Sequence, residues 1–326
     1  MTTMPELATA AQLGPESSLL RIRPAVRGFL ERPVLTPADL SMVLLVRADG
    51  ASGELPMSTV TIAEIPSTVR EMTRTGIRSV KLFAGSQQRD DRALGGTRPG
   101  SLMAQAIDAV KSTNDSVAVM TETCLCSHTL SGHCFLAGTD GAIDLTGTAE
   151  TMAAQALVHA AAGADIVGPA SMVNGMSGVV RRALDTSGHR GVAIMPHLIF
   201  DSAFYTGYRA TMKATPASGE HRPYQVHPAR PDQAVECGLG FLADGADMLL
   251  LEPGLTSVDV LIRLKQVTAA PLMPFSVSGE YTALAPVGGG GQRDLRPLAE
   301  TFTMLKRSGA DHIITYAAVE LARTLG

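Results

Sequence analysis

The sequence contains no tryptophan, few other aromatic residues and only five lysines among its 326 residues. Lys plus Arg number 27 against 31 Asp plus Glu, so the net charge is −4 and a dedicated nucleic-acid binder, which would be basic, is disfavoured. No stretch reaches the ~18 uninterrupted apolar residues of a membrane-spanning helix. The N-terminal segment lacks a basic region followed by an apolar core, so no signal peptide is predicted. A cytoplasmic enzyme without a membrane partner is therefore expected.

Short apolar runs alternate with amphipathic stretches after residue 38. Eight near-continuous apolar runs predict parallel strands buried on both faces, at 42–47, 78–84, 116–122, 165–169, 191–198, 247–253, 272–278 and 312–318. Helical patterns lie between them, at 63–75, 101–112, 148–162, 176–187, 231–244, 256–267 and 295–308. This alternation predicts an α/β fold, a (β/α)8 TIM barrel over residues 39–326. A doubly wound open sheet is the alternative, but no G-x-G-x-x-G follows the first strand.

Two further sequence patterns bear on organisation. Residues 1–38 form an extended N-terminal arm with four basic residues, Arg21, Arg23, Arg27 and Arg32. Such an arm either wraps a neighbouring subunit or is a loose terminus. The segments AGAD (162–165), DGAD (244–247) and SGAD (308–311) each join a helix to a strand, and their glycines are expected to take the left-handed conformation that ends a helix.

Three of the four cysteines cluster after the third predicted strand. Cys124, Cys126 and Cys134 have the spacing Cys-x-Cys-x7-Cys, with His128 and His133 between them. Thiolates suit zinc, and three protein ligands leave the fourth position open for water or substrate, as in catalytic sites. Reduced buried cysteines and a redox pair are the alternatives that the spacing leaves open.

At this cluster the sequence resembles a known enzyme family. TETCLCSHTLSGHC is similar to the zinc-loop motif D-V-C-L-C-x-Y-T-x-H-G-H-C of porphobilinogen synthase, also called 5-aminolevulinate dehydratase. Further similar segments extend over nearly the whole chain, namely ALVHAAAGADIVGPASMVNG, DSAFYTGYR, GEHRPYQVHPA, VSGEY and IITYAA. The resemblance implies a (β/α)8 barrel whose arm embraces a neighbour, a zinc ion on the three cysteines and a small-molecule substrate. It also implies a homo-oligomer, from a dimer up to an octamer.

The family condenses two molecules of 5-aminolevulinate, which two active-site lysines hold as Schiff bases, and neither lysine is matched here. The family motif M-V-K-P reads LLLEPG in this chain, with Glu252 at the lysine position. The other lysine precedes S-A-F-Y, and MPHLIFDSAFY places Ile199 there, or Phe200 if the one-residue gap falls differently. Only an amine can form the iminium. The family's usual chemistry is therefore not expected.

Other positions of the family's site are either changed or kept. Ser171 and Asn174 stand where the family has two carboxylates, and Met176 stands where it has an arginine. His221 and Arg222 replace a basic pair. Cys237 stands at the position of the allosteric magnesium glutamate and is predicted to be a core residue. The kept positions, besides the zinc cysteines, are Arg209, Gln225, Ser278 and Tyr316. In the family these four contact substrate or shape its lid, and the last two match the pair that binds the first substrate's carboxylate. Because this loss is selective, a repurposed enzyme is favoured over a passive pseudoenzyme.

The expected catalytic residues follow the strands, where barrel enzymes carry their chemistry. The candidate acids and bases are Glu252, Asp201, His197 and Glu122. The candidate substrate-binding residues are Arg209, Arg222, Gln225, Ser278, Tyr316 and Lys213. Burial among apolar neighbours would raise the pKa of a carboxyl toward neutrality. The simpler alternatives are that Glu252 pairs with an arginine, that Asp201 caps the next segment and that His197 is a structural barrel histidine.

Three further features have two interpretations each. Lys213, in the predicted lid, either supplies an amine from a new position or meets solvent or a substrate carboxylate. Lys81, at the end of the second strand, points into the barrel mouth or into a packing ion pair. The glycine run 288–292 is a phosphate cradle or, more simply, a short loop.

The resulting hypothesis is a zinc enzyme of the lyase type. It would act on 5-aminolevulinate or a related small carboxylated amino ketone, by condensation, cyclisation or dehydration without a lysine Schiff base, in specialised metabolism. One alternative is a non-catalytic paralogue that binds aminolevulinate or regulates an active synthase. The other is ordinary porphobilinogen synthase, with Lys213 in place of a lost lysine.

Overall fold

The computed structural model describes residues 24–30, 34–48, 55–86, 88–138, 141–216, 222 and 224–325. The chain divides into two units, Met1–Val34 and Leu35–Gly326. In the first unit the described residues form one helix, α1 (Pro24–Leu30), where the sequence predicted an irregular arm. Three of the arm's basic residues, Arg21, Arg23 and Arg32, lie outside the described residues.

The second unit alternates strands and helices. Its strands are β1 (Leu40–Val46), β2 (Ser79–Ala84), β3 (Ala118–Thr123), β4 (Leu136–Ala137), β5 (Ile143–Asp144), β6 (Ile166–Pro169), β7 (Ala193–Ile194), β8 (His197–Ile199), β9 (Leu249–Glu252), β10 (Leu272–Ser276) and β11 (Ile313–Thr315). Its helices are α2 (Ile65–Arg74), α3 (Leu102–Thr113), α4 (Leu145–Ala161), α5 (Met176–Thr186), α6 (Thr206–Thr211), α7 (Pro231–Ala243), α8 (Val258–Val267), α9 (Ser278–Leu284), α10 (Arg296–Arg307) and α11 (Ala318–Leu325). None of the helices described is both long and apolar enough to cross a membrane.

The main sheet is parallel and closes on itself. Its strands run in the order β7-β6-β3-β2-β1-β11-β10-β9-β8. Only Met195 and Pro196 separate β7, which pairs with β6, from β8, which pairs with β9. These two pieces are one pass of the chain, and the Pro196 carbonyl accepts a hydrogen bond from the Leu250 amide at 3.1 Å. The eight passes confirm the predicted (β/α)8 barrel and rule out the open sheet.

The barrel is held by apolar strands inside a ring of amphipathic helices. All six residues of β2 are buried, as expected for a strand covered on both faces. The helix α2 buries Ile65, Val69 and Met72, which the 3.6-residue period places on one face. Burial of each such side chain contributes about 1.5–3 kcal/mol. The fold therefore follows from the apolar pattern that predicted it.

The repeated Gly-Ala-Asp junctions have two structural roles. Gly163, Gly245 and Gly309 have φ between +98° and +113°, as predicted for glycine at a helix end. The aspartates that follow then accept hydrogen bonds from backbone amides at neighbouring strands, at 2.7–2.9 Å, namely Asp165 from Val119, Asp247 from Ile194 and Asp311 from Leu272. Each junction thus ends a helix, and its aspartate ties the start of the next strand to the backbone of a neighbouring strand.

Two predicted strands were too long at their carboxyl ends. The runs 272–278 and 312–318 extend into helices that begin at Ser278 and Ala318. At the first of these, Glu280 accepts a hydrogen bond from the Val277 amide at 3.0 Å, which caps the helix start. The predicted strand 191–198 was also wrong as a single strand, because it is interrupted at Met195 and Pro196.

Candidate active site at the barrel mouth

A cavity with an empty volume of about 480 Å³ lies at the carboxyl ends of the barrel strands. Residues from successive strand ends form its wall, including Phe83, Glu122, Ala170, Ile199, Glu252 and Phe275. The cysteine loop after β3, the segment around α6, the pair Arg222 and Gln225, and the residues Val277 and Tyr316 after β10 and β11 supply the remainder of the wall. This is the end of the barrel at which barrel enzymes carry their chemistry.

The three clustered cysteines converge at this cavity. The sulfur atoms of Cys124, Cys126 and Cys134 all lie within 4.8 Å of one another, and all three residues line the cavity. The Cys124 and Cys126 sulfurs are 3.3 Å apart. Three soft donors that meet at one point, with a cavity beside them, fit a tetrahedral metal ion with one open position. The cluster can therefore hold a metal ion, and no disulfide joins these cysteines.

Arg222 stabilises negative charge on this cluster. Its Nη1 atom donates a hydrogen bond to the Cys134 sulfur at 2.8 Å, and its Nη2 atom donates to the Ala214 carbonyl. Hydrogen bonds from the thiols of Cys124 and Cys126, together with this guanidinium, hold the pKa of Cys134 well below its usual range. Metal binding requires deprotonated thiols, and the surroundings favour this form at Cys134, whereas hydrogen bonding with the other two sulfurs and burial raise the pKa of Cys124 well above its usual range.

The interleaved histidines do not join the sulfur cluster. The Nδ1 atom of His128 lies 2.7 Å from the Ser86 hydroxyl, and burial lowers the pKa of this histidine to about 4. His133 stacks on Phe135, with ring centroids 4.9 Å apart. The three cysteines are thus the only group of three potential metal ligands among the described residues.

Glu252 and His197 form a buried pair at the end of β9 and β8. The Nδ1 atom of His197 lies 2.9 Å from the Oε1 atom of Glu252. Burial raises the pKa of Glu252 to about 8, although Lys81 and Arg209 oppose this effect. Burial, with Lys81 nearby, holds the pKa of His197 well below its usual range, so the imidazole is neutral. The cavity wall therefore contains a carboxyl group that can exchange a proton near neutral pH.

A second buried carboxyl faces the same cavity. Glu122, in β3, accepts a hydrogen bond from the Tyr208 hydroxyl at 3.0 Å. Burial raises the pKa of Glu122, and the nearby Cys126 acts in the same direction. Burial also raises the pKa of Tyr208 well above its usual range, so the phenol keeps its proton and donates. The pair offers a second route for a proton at the opposite wall.

Polar groups without a protein partner point to a bound ligand. The buried hydroxyl of Tyr316 and the buried side-chain oxygen of Gln225 have no hydrogen-bond partner among the residues that the structure describes, and both residues line the cavity. Arg209 also lines it, with its guanidinium 5.1 Å from the Tyr205 ring centroid. Buried polar groups are normally satisfied, so these atoms are suited to meet a polar ligand. The structure brings these three predicted residues together.

Three other predicted residues lie outside the cavity wall. The Ser278 hydroxyl is fully buried, where it accepts from the Tyr208 amide at 3.0 Å and donates to the Phe204 carbonyl at 3.1 Å. Lys213 is exposed, and Asp201 is half-buried beside the end of β8. None of the three is among the residues that line the cavity.

The changed family positions are placed as follows. Ile199 lines the cavity whereas Phe200 does not, so Ile199 is the better match to the second lysine position. Ser171 and Met176 are buried, and Asn174 is exposed. Cys237 packs against the core from α7, as predicted. The glycine run is a hairpin turn closed by a bridge between Val287 and Arg293, and His221 lies outside the described residues.

The aromatic part of the cavity wall was not predicted from the sequence. Phe83, Tyr205 and Tyr208 line the cavity, yet none of them was among the candidate site residues. Phe83 makes an edge contact with Tyr208, with ring centroids 5.2 Å apart. The signal for Phe83, its place near the end of a predicted strand, was weak because apolar residues there are mostly core. Tyr205 and Tyr208 lie in the segment DSAFYTGYR, in which only Asp201 and Arg209 were predicted to be site residues.

The fold and site are those of a (β/α)8-barrel enzyme with a thiol cluster at its mouth. The family model described as delta-aminolevulinic acid dehydratase matches residues 17–324. Dehydratases of that name from Methanothermobacter thermautotrophicus and Bacillus subtilis are 33% and 32% identical, over 93% and 94% of this chain and 94% and 96% of their own. The chain therefore belongs to the delta-aminolevulinic acid dehydratase family of lyases, which confirms the resemblance.

A solved structure agrees with this assignment. The delta-aminolevulinic acid dehydratase (porphobilinogen synthase) of Toxoplasma gondii, in complex with the reaction product porphobilinogen, superposes with a TM-score of 0.88. It is 27% identical, and the match covers 96% of this chain and 91% of that one. The barrel and the order of its elements are thus those of the family.

Proposed function

We propose that this family member acts on 5-aminolevulinate, or a related small carboxylated amino ketone, without forming a lysine Schiff base. The observation that carries the proposal is the carboxyl group of Glu252 at the strand end in the cavity, with the alkyl side chain of Ile199 beside it. Neither group can form an imine. The proposed reaction is a condensation, cyclisation or dehydration driven by acid–base chemistry, in specialised metabolism.

The cavity suits a small anionic substrate. Its wall combines apolar and aromatic side chains with a few converging polar groups, as is typical of small-molecule sites. Arg209 and Tyr316 would hold the substrate's carboxylate, since a guanidinium and an unpartnered hydroxyl are both donors. Gln225 would accept from the substrate's amino group. The aromatic rings on the wall would exclude water from the remainder of the molecule.

Zinc is the ion that we propose for the thiol cluster. Cys124, Cys126 and Cys134 would hold it, and Arg222 would balance part of the thiolate charge. When bound, zinc supplies Lewis acidity, which polarises a carbonyl or lowers the pKa of a water molecule. The donor set supports this choice because three thiolates favour a soft or borderline metal ion over magnesium or calcium.

Proton transfer would fall to the two buried carboxyls. Glu252 would take a proton from the substrate or return one at its carboxylate. The neutral His197 would keep this carboxyl in position through its hydrogen bond with Oε1. Glu122 would do the same at the opposite wall, with its carboxylate oriented by the Tyr208 hydroxyl. A pKa of about 8 for Glu252 is near the operating pH, which favours general acid–base catalysis.

The second candidate is the ordinary synthesis of porphobilinogen. The family match along nearly the whole chain favours it, since the relatives bear the dehydratase name. That reaction needs an amine, and the lysine nearest to the two buried carboxyls is Lys81, which is committed to two hydrogen bonds inside the barrel. A non-catalytic paralogue that binds aminolevulinate is the remaining outcome. We also propose that residues 1–38 mediate a homo-oligomer and that the protein is cytoplasmic.

The test uses the zinc-loaded full chain with 5-aminolevulinate and identifies products by mass spectrometry. Glu252→Gln removes the proton-transfer group at constant shape and should lower turnover by roughly 10²–10⁴-fold. Glu236→Gln, an exposed change on α7, is the matched control and should leave turnover unchanged. Porphobilinogen formed equally by both variants would favour the ordinary reaction. Tight binding without turnover would identify a non-catalytic paralogue.

A further inference from the structure

Lys81 lies in the barrel interior beneath the cavity. It is the third residue of β2 and has no exposed surface, which is rare for lysine unless the ammonium is paired. Its Nζ atom lies 2.8 Å from the Nε2 atom of His197 and 2.9 Å from the Thr121 carbonyl oxygen. Lys81 is not among the residues that line the cavity. The amine is thus directed at protein acceptors and not at a ligand.

The donors and acceptors around His197 define its tautomer. An ammonium group has three protons to donate and no lone pair to accept. Nε2 of His197 must therefore accept from Lys81, and the proton of the neutral ring must lie on Nδ1. Nδ1 is 2.9 Å from Oε1 of Glu252, so the ring donates to this carboxylate oxygen. A continuous chain of donors then runs from Lys81 through His197 to Glu252.

The backbone leaves the space that this chain needs. Gly168, in β6, faces the contact between Lys81 and His197. A Cβ atom on Gly168 would lie 2.8 Å from Nζ of Lys81, 2.9 Å from Nε2 of His197 and 2.8 Å from the Thr121 carbonyl oxygen. Any side chain there would push the pair apart, and a glycine within a strand often marks such a close approach.

The charges nearby also require Lys81. Two carboxyls, Glu122 and Glu252, act on Lys81 from β3 and β9, and the imidazole of His159 lies on the other side of β3. Burial lowers the pKa of Lys81, whereas the two carboxyls raise it. The other cations that act on Glu252 are Arg209 and Arg222. Removing the ammonium would leave the buried carboxyls with less compensation.

We propose that Lys81 is a positioning residue, which fixes His197 in the tautomer that donates to Glu252 and so aligns the reactive carboxyl of the cavity. The importance of Lys81 for turnover rests on the proposed function, whereas the positions of the protons on Lys81 and His197 do not depend on it. The lysine acts from β2 through a histidine, two hydrogen bonds away from the carboxyl. It touches no reacting atom.

Neutron diffraction from perdeuterated crystals of the full chain tests the proton positions directly. The expected result is deuterium on Nδ1 of His197 and three deuterons on Nζ of Lys81. A deuteron on Nε2 with a neutral Lys81 amine would overturn the proposal. This measurement needs no substrate, so it remains decisive even if aminolevulinate proves not to be the substrate.

Variants test whether the chain of donors matters for turnover. Lys81→Met should lower kcat roughly 100-fold, the scale expected for a misplaced group, while KM stays within about twofold. Lys81→Gln keeps a donor for Nε2 and should recover part of kcat. Gly168→Ala keeps the lysine side chain but pushes it away from His197, so this variant should also lower kcat. It keeps the test valid if Lys81→Met does not fold. Lys265→Met, which removes an outer-surface ion pair with Asp311, is the matched control. An unchanged kcat in both Lys81→Met and Gly168→Ala would overturn the proposal.

Discussion

Ile199 and Glu252 are register partners on the adjacent parallel strands β8 and β9, and both side chains line the cavity at the barrel mouth. The resemblance to the family matches these two positions to its Schiff-base lysines. The structure therefore places an alkyl group and a carboxyl group side by side where two amines would be expected.

The thiol cluster predicts a metal content of about one zinc ion per chain. Cys124→Ser, Cys126→Ser and Cys134→Ser should each abolish tight zinc binding, because a hydroxyl is a much poorer ligand than a thiolate. Elemental analysis of the purified proteins after dialysis measures the effect. Cys237→Ser is the matched control, since this cysteine lies on α7 and outside the cluster, and it should retain the metal. Retention of zinc by all three cluster variants would contradict the assignment.

The unpartnered hydroxyl of Tyr316 predicts a change in affinity without a loss of stability. Tyr316→Phe removes a buried group that forms no hydrogen bond with the described residues, so the thermal midpoint should stay the same or rise. Binding of 5-aminolevulinate should weaken by roughly tenfold, the value of about one hydrogen bond to a charged group. Calorimetric titration and thermal unfolding measure the two effects. Unaltered affinity would show that the hydroxyl does not contact the ligand.

The hydrogen bonds of Ser278 predict a loss of stability and not a direct effect on substrate binding. Ser278→Ala removes both its acceptor for the Tyr208 amide and its donor to the Phe204 carbonyl. The free energy of unfolding should fall by about 1–3 kcal/mol, because two partly buried backbone groups lose their partner. Urea unfolding measures this loss, with the exposed Ser112→Ala as the control. A rise in KM at unchanged stability would instead support the direct substrate contact that the resemblance implies.

A buried neutral histidine predicts acid sensitivity. Burial lowers the pKa of His159 to about 3, from an ordinary value near 6.5, and its Nδ1 atom lies 3.0 Å from the Thr121 hydroxyl. Between about pH 3 and pH 6.5 the His159 imidazole is protonated in the unfolded chain but neutral in the folded chain. Stability is thus complete above pH 6.5 and decreases as pH falls, by about 2 kcal/mol at pH 5 from this group. Urea unfolding at pH 8 and pH 5 measures the difference, which should shrink by this amount in His159→Gln. An equal pH dependence in both proteins would contradict the prediction.

The barrel could be predicted because its signals are local and repeated. Near-continuous apolar runs mark β1, β2 and β9, and the glycines at 163, 245 and 309 mark helix ends. The predictions were wrong where a pattern changes within one run. The start of α9 at Ser278 continues an apolar stretch, and the interruption between β7 and β8 falls at Pro196, which has no amide hydrogen to donate to the sheet.

The site was predictable only in part, because spacing reveals ligands but not side-chain partners. The cysteine cluster was found from its spacing and its place after a strand. Lys81 was left between the barrel mouth and an ion pair, since its partners His197 and Glu252 are more than a hundred residues away in sequence. The hydroxyl of Ser278 and the exposure of Lys213 depend on tertiary contacts that no motif encodes.

Reductive trapping tests the central claim most directly. The zinc-loaded protein is incubated with 5-aminolevulinate and sodium borohydride, then examined by intact mass and peptide mapping. Glu252→Lys, which places an amine at the strand end in the cavity, serves as the positive control and should gain a stable adduct at that position. No adduct is expected on the wild-type chain, because neither Glu252 nor Ile199 can form an imine. A wild-type adduct at Lys81 or Lys213 would contradict it and restore the amine-dependent reaction of the family.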